Sequence, residues 1–193
     1  MDVTELDLPG LLLFEPRVHS DGRGAFFESF HRSRYQQHLG AGVEFVQDNV
    51  SVSAKGVLRG MHLQHPHGQG KLVFVLAGEV LDVVVDVRVG SPHFGKHQAL
   101  ALSGSNRRQL YIPPGFAHGF LVLSDSALFQ YKCTDYYHPE SELSIRWDDP
   151  QLAIAWPDAR PTAGAKDAAA PTLRELLSAK RLPLFTAGPG DAR

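Results

Sequence analysis

The sequence lacks the features that mark several classes of protein. Cys133 is its single cysteine, so no intrachain disulfide can form, and this usage fits a reducing compartment such as the cytoplasm. No apolar run approaches the roughly 20 residues that a membrane-spanning helix needs. The N-terminal stretch MDVTELDLPG is acidic and has no cationic flank, which argues against a signal peptide. A formal net charge of −2 gives no basic character that would favour nucleic acid. We therefore expect a cytoplasmic protein that binds neither membrane nor nucleic acid.

The composition that remains is that of an ordinary globular protein. Hydrophobic residues make up 43% of the 193 residues and charged residues 21%, so we expect one domain over residues 1–193, with a frayed tail from about residue 185. The 18 glycines and 13 prolines are scattered between short segments rich in Val, Leu, Ile, Phe and Tyr. The alternation in LDVVVDVR, residues 81–88, predicts a half-buried strand. Many short strands at roughly 8–12-residue spacing predict an all-β sandwich or jelly roll.

Helix signals are few. The stretch FHRSRYQQHLGAG, near residues 30–42, predicts a short helix that Gly40 ends. In PTLRELLSAKR, Thr172 is followed three residues later by Glu175, and this capping box predicts a second helix near the C-terminus. The expected fold is therefore all-β with a few short helices.

Three histidines, at positions 62, 65 and 67, lie within six residues of RGMHLQHPHGQGKLVFVLAG (residues 59–78), which suggests a metal site. The series His65-x-His67, three residues, Lys71, six residues, Gly78 has the spacing of the first cupin motif, which has Glu where Lys71 stands. The segment PPGFAHGFLV (residues 113–122) has the Pro, Gly and His of the second cupin motif, with Val where Asn is usual. Together the two motifs resemble those of a cupin-type jelly-roll barrel.

Lys71 determines which chemistry we expect of such a barrel. A carboxylate there would complete a metal site, whereas a lysine ammonium has no lone pair and repels a divalent cation. We therefore expect no metal ligands in the pocket, and an exposed polar loop is the simpler interpretation of His65 and His67. His62 and His118 are the histidines expected to be functional. A neutral histidine base, an ammonium beside an enolate oxygen and a tyrosine acid together describe proton abstraction next to a carbonyl.

Segments along most of the chain, about residues 3–180, extend this resemblance to one enzyme family. They are SDGRGAFFESF, FVQDNVS, GVLRGMHLQ, GKLV, GEVLDVVVDVRVGSPHFGKH, RQLYIPPGFAHGFLVLS, YKCTDYYHPESE, IRWDDPQLAIAWP and AKDAAAPTL. In this order they resemble the dTDP-4-dehydrorhamnose 3,5-epimerases, the RmlC-type sugar epimerases. The resemblance implies epimerisation of dTDP-4-keto-6-deoxyglucose at C3 and C5, both α to the C4 ketone, for the synthesis of dTDP-L-rhamnose. It also implies a homodimer that needs no metal or organic cofactor.

The resemblance assigns catalytic roles to four residues. His62 in RGMHLQ matches the base, and Asp167 in AKDAAAP matches the acid that orients it. Lys71 would stabilise the enolate at the C4 oxygen, and Tyr131 in QYKCTDYY matches the proton donor on the opposite face.

The resemblance also assigns residues to substrate binding. His118 would line the sugar pocket, Arg23 and Arg59 suit the diphosphate because guanidinium binds oxyanions in a fork, and Tyr137 would stack on thymine. Further ligand-binding positions are Phe26, Glu28, Gln47, Asn49, Glu142 and Lys166.

Some positions depart from the family pattern and could tune substrate choice. They are Met61 and Leu63 beside the base, where Leu and Tyr are usual, and Phe74, where Arg is usual. In an ideal strand Arg59 and His62 would also face opposite sides, unless Gly60 allows a bulge.

Other functions remain open at this point. The nearest are a single-carbon epimerase and a 3,4-ketoisomerase on a related dTDP-sugar. A metal-dependent oxygenase would use the histidines at 62, 65, 67 or 118, and a non-catalytic sugar-binding jelly roll would use none of them as a base. Lys71 argues against the oxygenase, and the set of His62, Asp167 and Tyr131 argues against the binding protein.

Overall fold

The computed structural model describes residues 1–158 and 160–186, and strands dominate it. Within these ranges the strands are β1 (Asp2–Glu5), β2 (Leu12–Glu15), β3 (Val18–Asp21), β4 (Gly24–Phe27), β5 (Gln47–Ala54), β6 (Val57–Gln64), β7 (Lys71–Ala77), β8 (Glu79–Asp86), β9 (His97–Ser103), β10 (Gln109–Ile112), β11 (Phe116–Val122), β12 (Ser126–Cys133), β13 (Glu142–Ser144) and β14 (Thr162–Ala163). The helices are α1 (Arg32–Leu39), α2 (Ala165–Ala168) and α3 (Leu173–Ser178), with a 3₁₀ turn at Pro139–Ser141. The predicted all-β class with a few short helices is confirmed.

Two sheets form the barrel. The first has the order β1-β2-β10-β7-β12-β5, and the second has the order β13-β6-β11-β8-β9, with β14 paired to β6 as well. In the first sheet, Tyr131 of β12 pairs with Asn49 on one side and Val73 on the other. In the second sheet, His118 of β11 pairs with His62 of β6. Strands β3 and β4 form a separate hairpin. This topology brings β5, β6, β7 and β12 around one interior space.

The second sheet is buried on both faces. Its inner face packs against the first sheet in a cluster that includes Val84 of β8, and its outer face packs Val83 and Val85 with Leu173 and Leu176 of α3. Burial of each such leucine stabilises the fold by about 1.5–3 kcal/mol. The prediction of a half-buried strand over residues 81–88 is wrong, because the face that the alternation assigned to solvent, with Asp82, Val84 and Asp86, lies inside the barrel and is fully buried. The other face, with Val83 and Val85, is the one that α3 covers.

The two helix predictions are confirmed. Helix α1 ends at Leu39, and Gly40 follows with a φ of 96°, a backbone conformation that favours glycine. Helix α3 begins with the predicted capping box: the Glu175 N–H donates to the Thr172 hydroxyl at 3.2 Å, and the Thr172 N–H donates to the Glu175 carboxylate at 2.8 Å. These two bonds satisfy backbone donors that the helix itself leaves free.

The predicted frayed tail falls largely on residues 187–193, which lie outside the described residues. At its start, the Phe185 N–H donates to the Val89 carbonyl at 2.9 Å, so this residue is held against the chain that follows β8. Within the described ranges, no helix combines the length and apolar character needed to cross a membrane.

Candidate active site

A cavity of about 340 Å³ opens between the two sheets. Seven of the predicted site residues line it together with three that were not predicted, and the full set is Gln47, Asn49, His62, Leu63, Gln64, Gln69, Lys71, Tyr131, Tyr137 and Glu142. Both sheets contribute, so pairing on neighbouring strands fixes the positions of these side chains.

His62 and Asp167 form a hydrogen-bonded pair beside this cavity. The His62 Nε2 lies 2.6 Å from the Asp167 Oδ1, and the other carboxylate oxygen accepts the Gly60 N–H at 3.2 Å. Burial raises the pKa of the Asp167 carboxyl, but the hydrogen bond and charge of His62 and the Gly60 N–H outweigh it and leave that pKa below its usual value. Asp167 is therefore ionised at neutral pH. It accepts the Nε2–H and leaves Nδ1 of His62 as the basic nitrogen.

Gly60 produces the bulge on which the sequence prediction depended. Between the pairs that Arg59 and His62 make with β11, β6 advances three residues while β11 advances two. Gly60 has a φ of +134°, and a Cβ on it would lie 2.5 Å from the Gly119 Cα, so only glycine fits. Arg59 is exposed, and its Nε donates to the Ser53 hydroxyl of the opposite sheet at 3.0 Å, so it projects from β6 toward the first sheet. Arg59 itself does not line the cavity.

Lys71 and Tyr131 are neighbours on the paired strands β7 and β12, in the first sheet's wall of the cavity. The Lys71 Nζ lies 5.9 Å from the centre of the Tyr131 ring. Burial lowers the pKa of the Lys71 ammonium, and negative groups nearby, Glu142 among them, oppose this. Burial also raises the pKa of the Tyr131 hydroxyl, assisted by Glu142 and opposed by the charge of Arg59. Tyr131 therefore keeps its proton at neutral pH and can donate it.

Tyr137 and Glu142 lie at the rim of the cavity and contact other predicted site residues. The Tyr137 hydroxyl donates to the Glu142 carboxylate at 2.7 Å, and Lys166 forms an ion pair with the same carboxylate. The Tyr137 N–H donates to the Gln47 side-chain oxygen at 2.9 Å, and Gln47 in turn donates to Asn49 at 3.1 Å. About half of the Tyr137 surface is exposed, so its ring is available to a ligand.

His118 lies behind the cavity wall rather than on it. Its ring is buried, and Nε2 lies 2.8 Å from the Oδ2 of Asp82, which is itself fully buried. The ring also stacks near Phe129 of the inner core. The expectation that His118 lines the pocket is therefore not met within this chain. His118 lies opposite His62 on the neighbouring strand, but its ring contacts Asp82 and Phe129 instead.

Three predicted binding residues, Arg23, Phe26 and Glu28, lie away from the cavity of their own chain. Arg23 and Phe26 are on the hairpin of β3 and β4 (Val18–Phe27), which we call the arm, and Glu28 follows it. The Arg23 side chain is 91% exposed, Phe26 is 72% exposed, and Glu28 forms an ion pair with Arg34 at 2.8 Å. A surface concavity of about 470 Å³ along the arm is lined by arm residues alone. The arm strands pair only with each other among the described residues, so the hairpin is not part of either barrel sheet.

The sequence analysis missed Leu63, Gln64 and Gln69 as cavity residues. Gln64 could have been found, because it lies two residues after His62 on the same strand and therefore shares its face. Gln69 lies in the loop before β7 and carries no such signal. His65 and His67 do not line the cavity. The chemistry that the cavity offers is an oriented base, a cation and a protonated phenol around one space.

Comparison with known proteins assigns this arrangement to a family. The family model described as dTDP-4-dehydrorhamnose 3,5-epimerase matches residues 5–175. The Pseudomonas aeruginosa dTDP-4-dehydrorhamnose 3,5-epimerase is 54% identical over 157 residues, which cover 81% of this chain and 87% of that protein.

Two solved structures share the fold. The RmlC epimerase from Legionella pneumophila, in complex with dTDP-4-keto-L-rhamnose, has a TM-score of 0.92 and 55% identity, covering 96% of this chain and 99% of that chain. ChmJ, a 3′-monoepimerase from Streptomyces bikiniensis in complex with dTDP-quinovose, has a TM-score of 0.89 and 38% identity, covering 93% and 92%. The cupin-type barrel predicted from the two motifs is thereby confirmed, and the chain belongs to the dTDP-4-dehydrorhamnose 3,5-epimerase family of isomerases.

Proposed function

We propose that this protein epimerises dTDP-4-dehydro-6-deoxy-D-glucose at C3 and C5 to dTDP-4-dehydro-L-rhamnose, with no metal or organic cofactor. Its product would feed the synthesis of dTDP-L-rhamnose for cell-surface polysaccharide, in the cytoplasm. The observation that carries the proposal is the His62–Asp167 pair at 2.6 Å beside the cavity that Lys71 and Tyr131 also line. Family membership supplies the substrate class.

The reaction uses each of these groups once for each carbon. Nδ1 of His62 removes the proton from a carbon next to the C4 ketone, and the electron pair moves onto the ketone oxygen to give an enolate. The Lys71 ammonium stabilises that oxygen; the loss of one such donor typically costs about 2.7–4 kcal/mol of transition-state stabilisation. Tyr131 then delivers a proton to the opposite face of the carbon, which inverts it, and the ketone forms again.

The assembly in the proposal is a homodimer in which the arm of one chain completes the cavity of its partner. Two observations support it. The predicted ligand residues Arg23 and Phe26 are exposed on the arm, away from the cavity that holds His62 in their own chain. Strand β5 is also an edge of the first sheet, and it exposes Val50 and Val52 at 58% and 71%. Exposed valines along a sheet edge favour contact with another chain.

A single-carbon epimerase is the second candidate. The likeness to the 3′-monoepimerase ChmJ favours it, as does Leu63, which borders the cavity where the family has Tyr. The other two departures from the family pattern, Met61 and Phe74, are buried away from the cavity, so they give this alternative no support.

One experiment tests both candidates. The protein is incubated with dTDP-4-keto-6-deoxyglucose in deuterium oxide, and deuterium at C3 and C5 is followed by NMR. We expect label and inversion at both carbons. Label at C3 alone would favour the single-carbon enzyme, and label at neither carbon would overturn the proposal.

A further inference from the structure

A second group of histidines lies outside the cavity, on the two loops that border it. His67 is in the loop between β6 and β7, and Asp135 and His138 are in the segment after β12. One ligand atom from each of the three lies within 4.8 Å of the others. The His67 Nδ1 is 3.8 Å from the Asp135 Oδ2, and the two imidazole rings stack with their centres 4.1 Å apart. In a tetrahedral zinc site two nitrogen or oxygen ligands lie about 3.4 Å apart, so the side chains would rotate toward one another, and the stacked rings would separate, to close this group around an ion.

A buried glutamine holds the two histidine-bearing segments together. Gln64 is 5% exposed. Its side-chain nitrogen donates to the carbonyls of His67 and Tyr136, and its side-chain oxygen accepts the His138 N–H at 2.8 Å. One amide therefore fixes the backbone on both sides of the group. Such support from neighbouring side chains is what a metal site needs in order to hold its ligands in place.

Hydrogen bonds and charge from neighbouring side chains also hold Asp135 and orient the ring of His138. The Gln69 side-chain nitrogen donates to the Asp135 carbonyl at 2.8 Å. The Glu140 carboxylate lies 3.3 Å from Nδ1 of His138. A neutral His138 that donates Nδ1–H to Glu140 presents Nε2 as its lone-pair nitrogen, which is the usual arrangement of a metal-bound histidine and its outer carboxylate.

We infer that His67, Asp135 and His138 form a binding site for a divalent transition-metal ion such as Zn²⁺. Two imidazoles and one carboxylate suit zinc and its neighbours, whereas Ca²⁺ and Mg²⁺ prefer ligands that are all oxygen. The side chains are 52%, 37% and 33% exposed in this order, so water can complete the coordination. His67 also has a φ of 63°, an uncommon conformation for a residue with a side chain, and it directs the ring to this group.

This site differs in position and purpose from the metal site of a cupin motif. The cavity has Lys71 where a carboxylate ligand would be needed, and His67 does not line it. The ion would link the loop after β6 to the segment that carries Tyr137, so it would stabilise the rim of the cavity without taking part in the proton transfers.

The test is titration of the chelator-treated, dialysed full chain with Zn²⁺ by calorimetry. The variants are H67A, H138A and D135N, and H31A serves as the control because His31 is exposed and outside the group. We expect one Zn²⁺ per chain in the unsubstituted protein and in H31A. H67A and H138A should bind Zn²⁺ at least 10–100-fold more weakly. Loss of a residue that only orients a metal ligand typically lowers metal affinity within this range, so the loss of affinity in E140Q should lie at the lower end of it.

Thermal unfolding separates lost binding from lost folding. Zn²⁺ should raise the Tm of the unsubstituted protein and of H31A, because a ligand that binds only the folded state stabilises it. H67A, H138A and D135N should unfold as the metal-free parent does and gain nothing from Zn²⁺. Absence of binding in the unsubstituted protein, or equal binding in H67A and H138A, would overturn the inference. Equal loss in H31A would overturn it too, since binding would then not depend on this group.

Discussion

The barrel wall and the arm carry predicted site residues of two different kinds. His62, Lys71 and Tyr131 are on strands of the barrel, and Asp167 is held against β6 by its bonds to His62 and the Gly60 N–H. Arg23 and Phe26 are on a two-stranded hairpin that exposes most of both side chains. The groups proposed to act on the substrate are held by their own chain, whereas Arg23 and Phe26 lie on the exposed arm. In the proposed homodimer, one chain therefore contains the reaction machinery but only part of the ligand site.

Substitutions of the site residues in the barrel wall should have the largest effect on activity. His62→Ala removes the base, so we expect solvent deuterium uptake to fall by about 10²–10⁴-fold, the usual contribution of a positioned general base. Deuterium uptake by Asp167→Asn should fall almost as far, because an amide can stabilise the wrong tautomer of His62 and supports the imidazolium less. NMR of the sugar protons in deuterium oxide measures both. His67→Ala is the control, five residues away and outside the cavity, and should exchange at the parent rate. If His62→Ala exchanged deuterium at the parent rate, another residue would have to be the base.

Tyr131→Phe should separate proton exchange from inversion. The substitution keeps the ring and removes the hydroxyl, so His62 can still remove and return a proton on one face while inversion loses its donor. We expect deuterium uptake to persist and inverted product to fall by about 10²-fold or more. Tyr136→Phe, on an exposed ring that does not line the cavity, should change neither. An equal fall in exchange and inversion would show that Tyr131 is not a dedicated donor.

Mixing two inactive variants tests the arm directly. Arg23→Ala removes a proposed ligand-binding group from the arm, and His62→Ala removes the proposed base from the barrel wall. If the arm completes the partner's cavity, a mixed dimer has one cavity with both defects and one with neither. Unfolding and refolding an equal mixture should then restore about a quarter of the parent activity, since half of the dimers are mixed and each has one intact site. If the arm served its own chain, every cavity in the mixture would carry one defect and activity would not return.

Tyr137→Ala should act on binding more than on turnover. The loss of a ring that stacks on thymine should weaken dTDP binding by roughly 1–3 kcal/mol, while kcat at saturating substrate changes less. Calorimetric titration with dTDP measures the change, and Tyr136→Ala is the matched control on the neighbouring exposed tyrosine. An unchanged dissociation constant would show that Tyr137 is not the stacking residue.

Chelation should have the smallest effect on the reaction. Lys71 occupies the position of the expected carboxylate ligand, so exhaustive treatment with a chelator should leave the epimerisation rate intact. Loss of activity that Fe(II) or Zn(II) restores would contradict this. A lower Tm with an unchanged rate would instead agree with a metal at the cavity rim.

The sequence predicted the barrel and its helices well, because turn residues, β-branched segments and capping residues act locally. It failed where distant segments meet. Nothing local indicates that the face with Asp82, Val84 and Asp86 lies inside a barrel, so the alternation over residues 81–88 predicted that face to be exposed when it is buried. The partnership of His62 with Asp167 spans 105 residues and came only from resemblance to a family. Gln69 had no periodic signal, and nothing local in the sequence indicates that Arg23 and Phe26 lie away from the cavity of their own chain.

The position of Asp167 has a consequence for the order in which the protein is made. Every strand from β1 to β13 has been synthesised before this residue is added, and Asp167 reaches His62 from the four-residue helix α2. A chain released before that point would possess the cavity residues from Gln47 to Glu142 and yet lack the group that orients its base. In the proposed mechanism, catalytic competence therefore arrives only near the end of synthesis, and a product that ends before Asp167 would also lack α3, which packs on the second sheet.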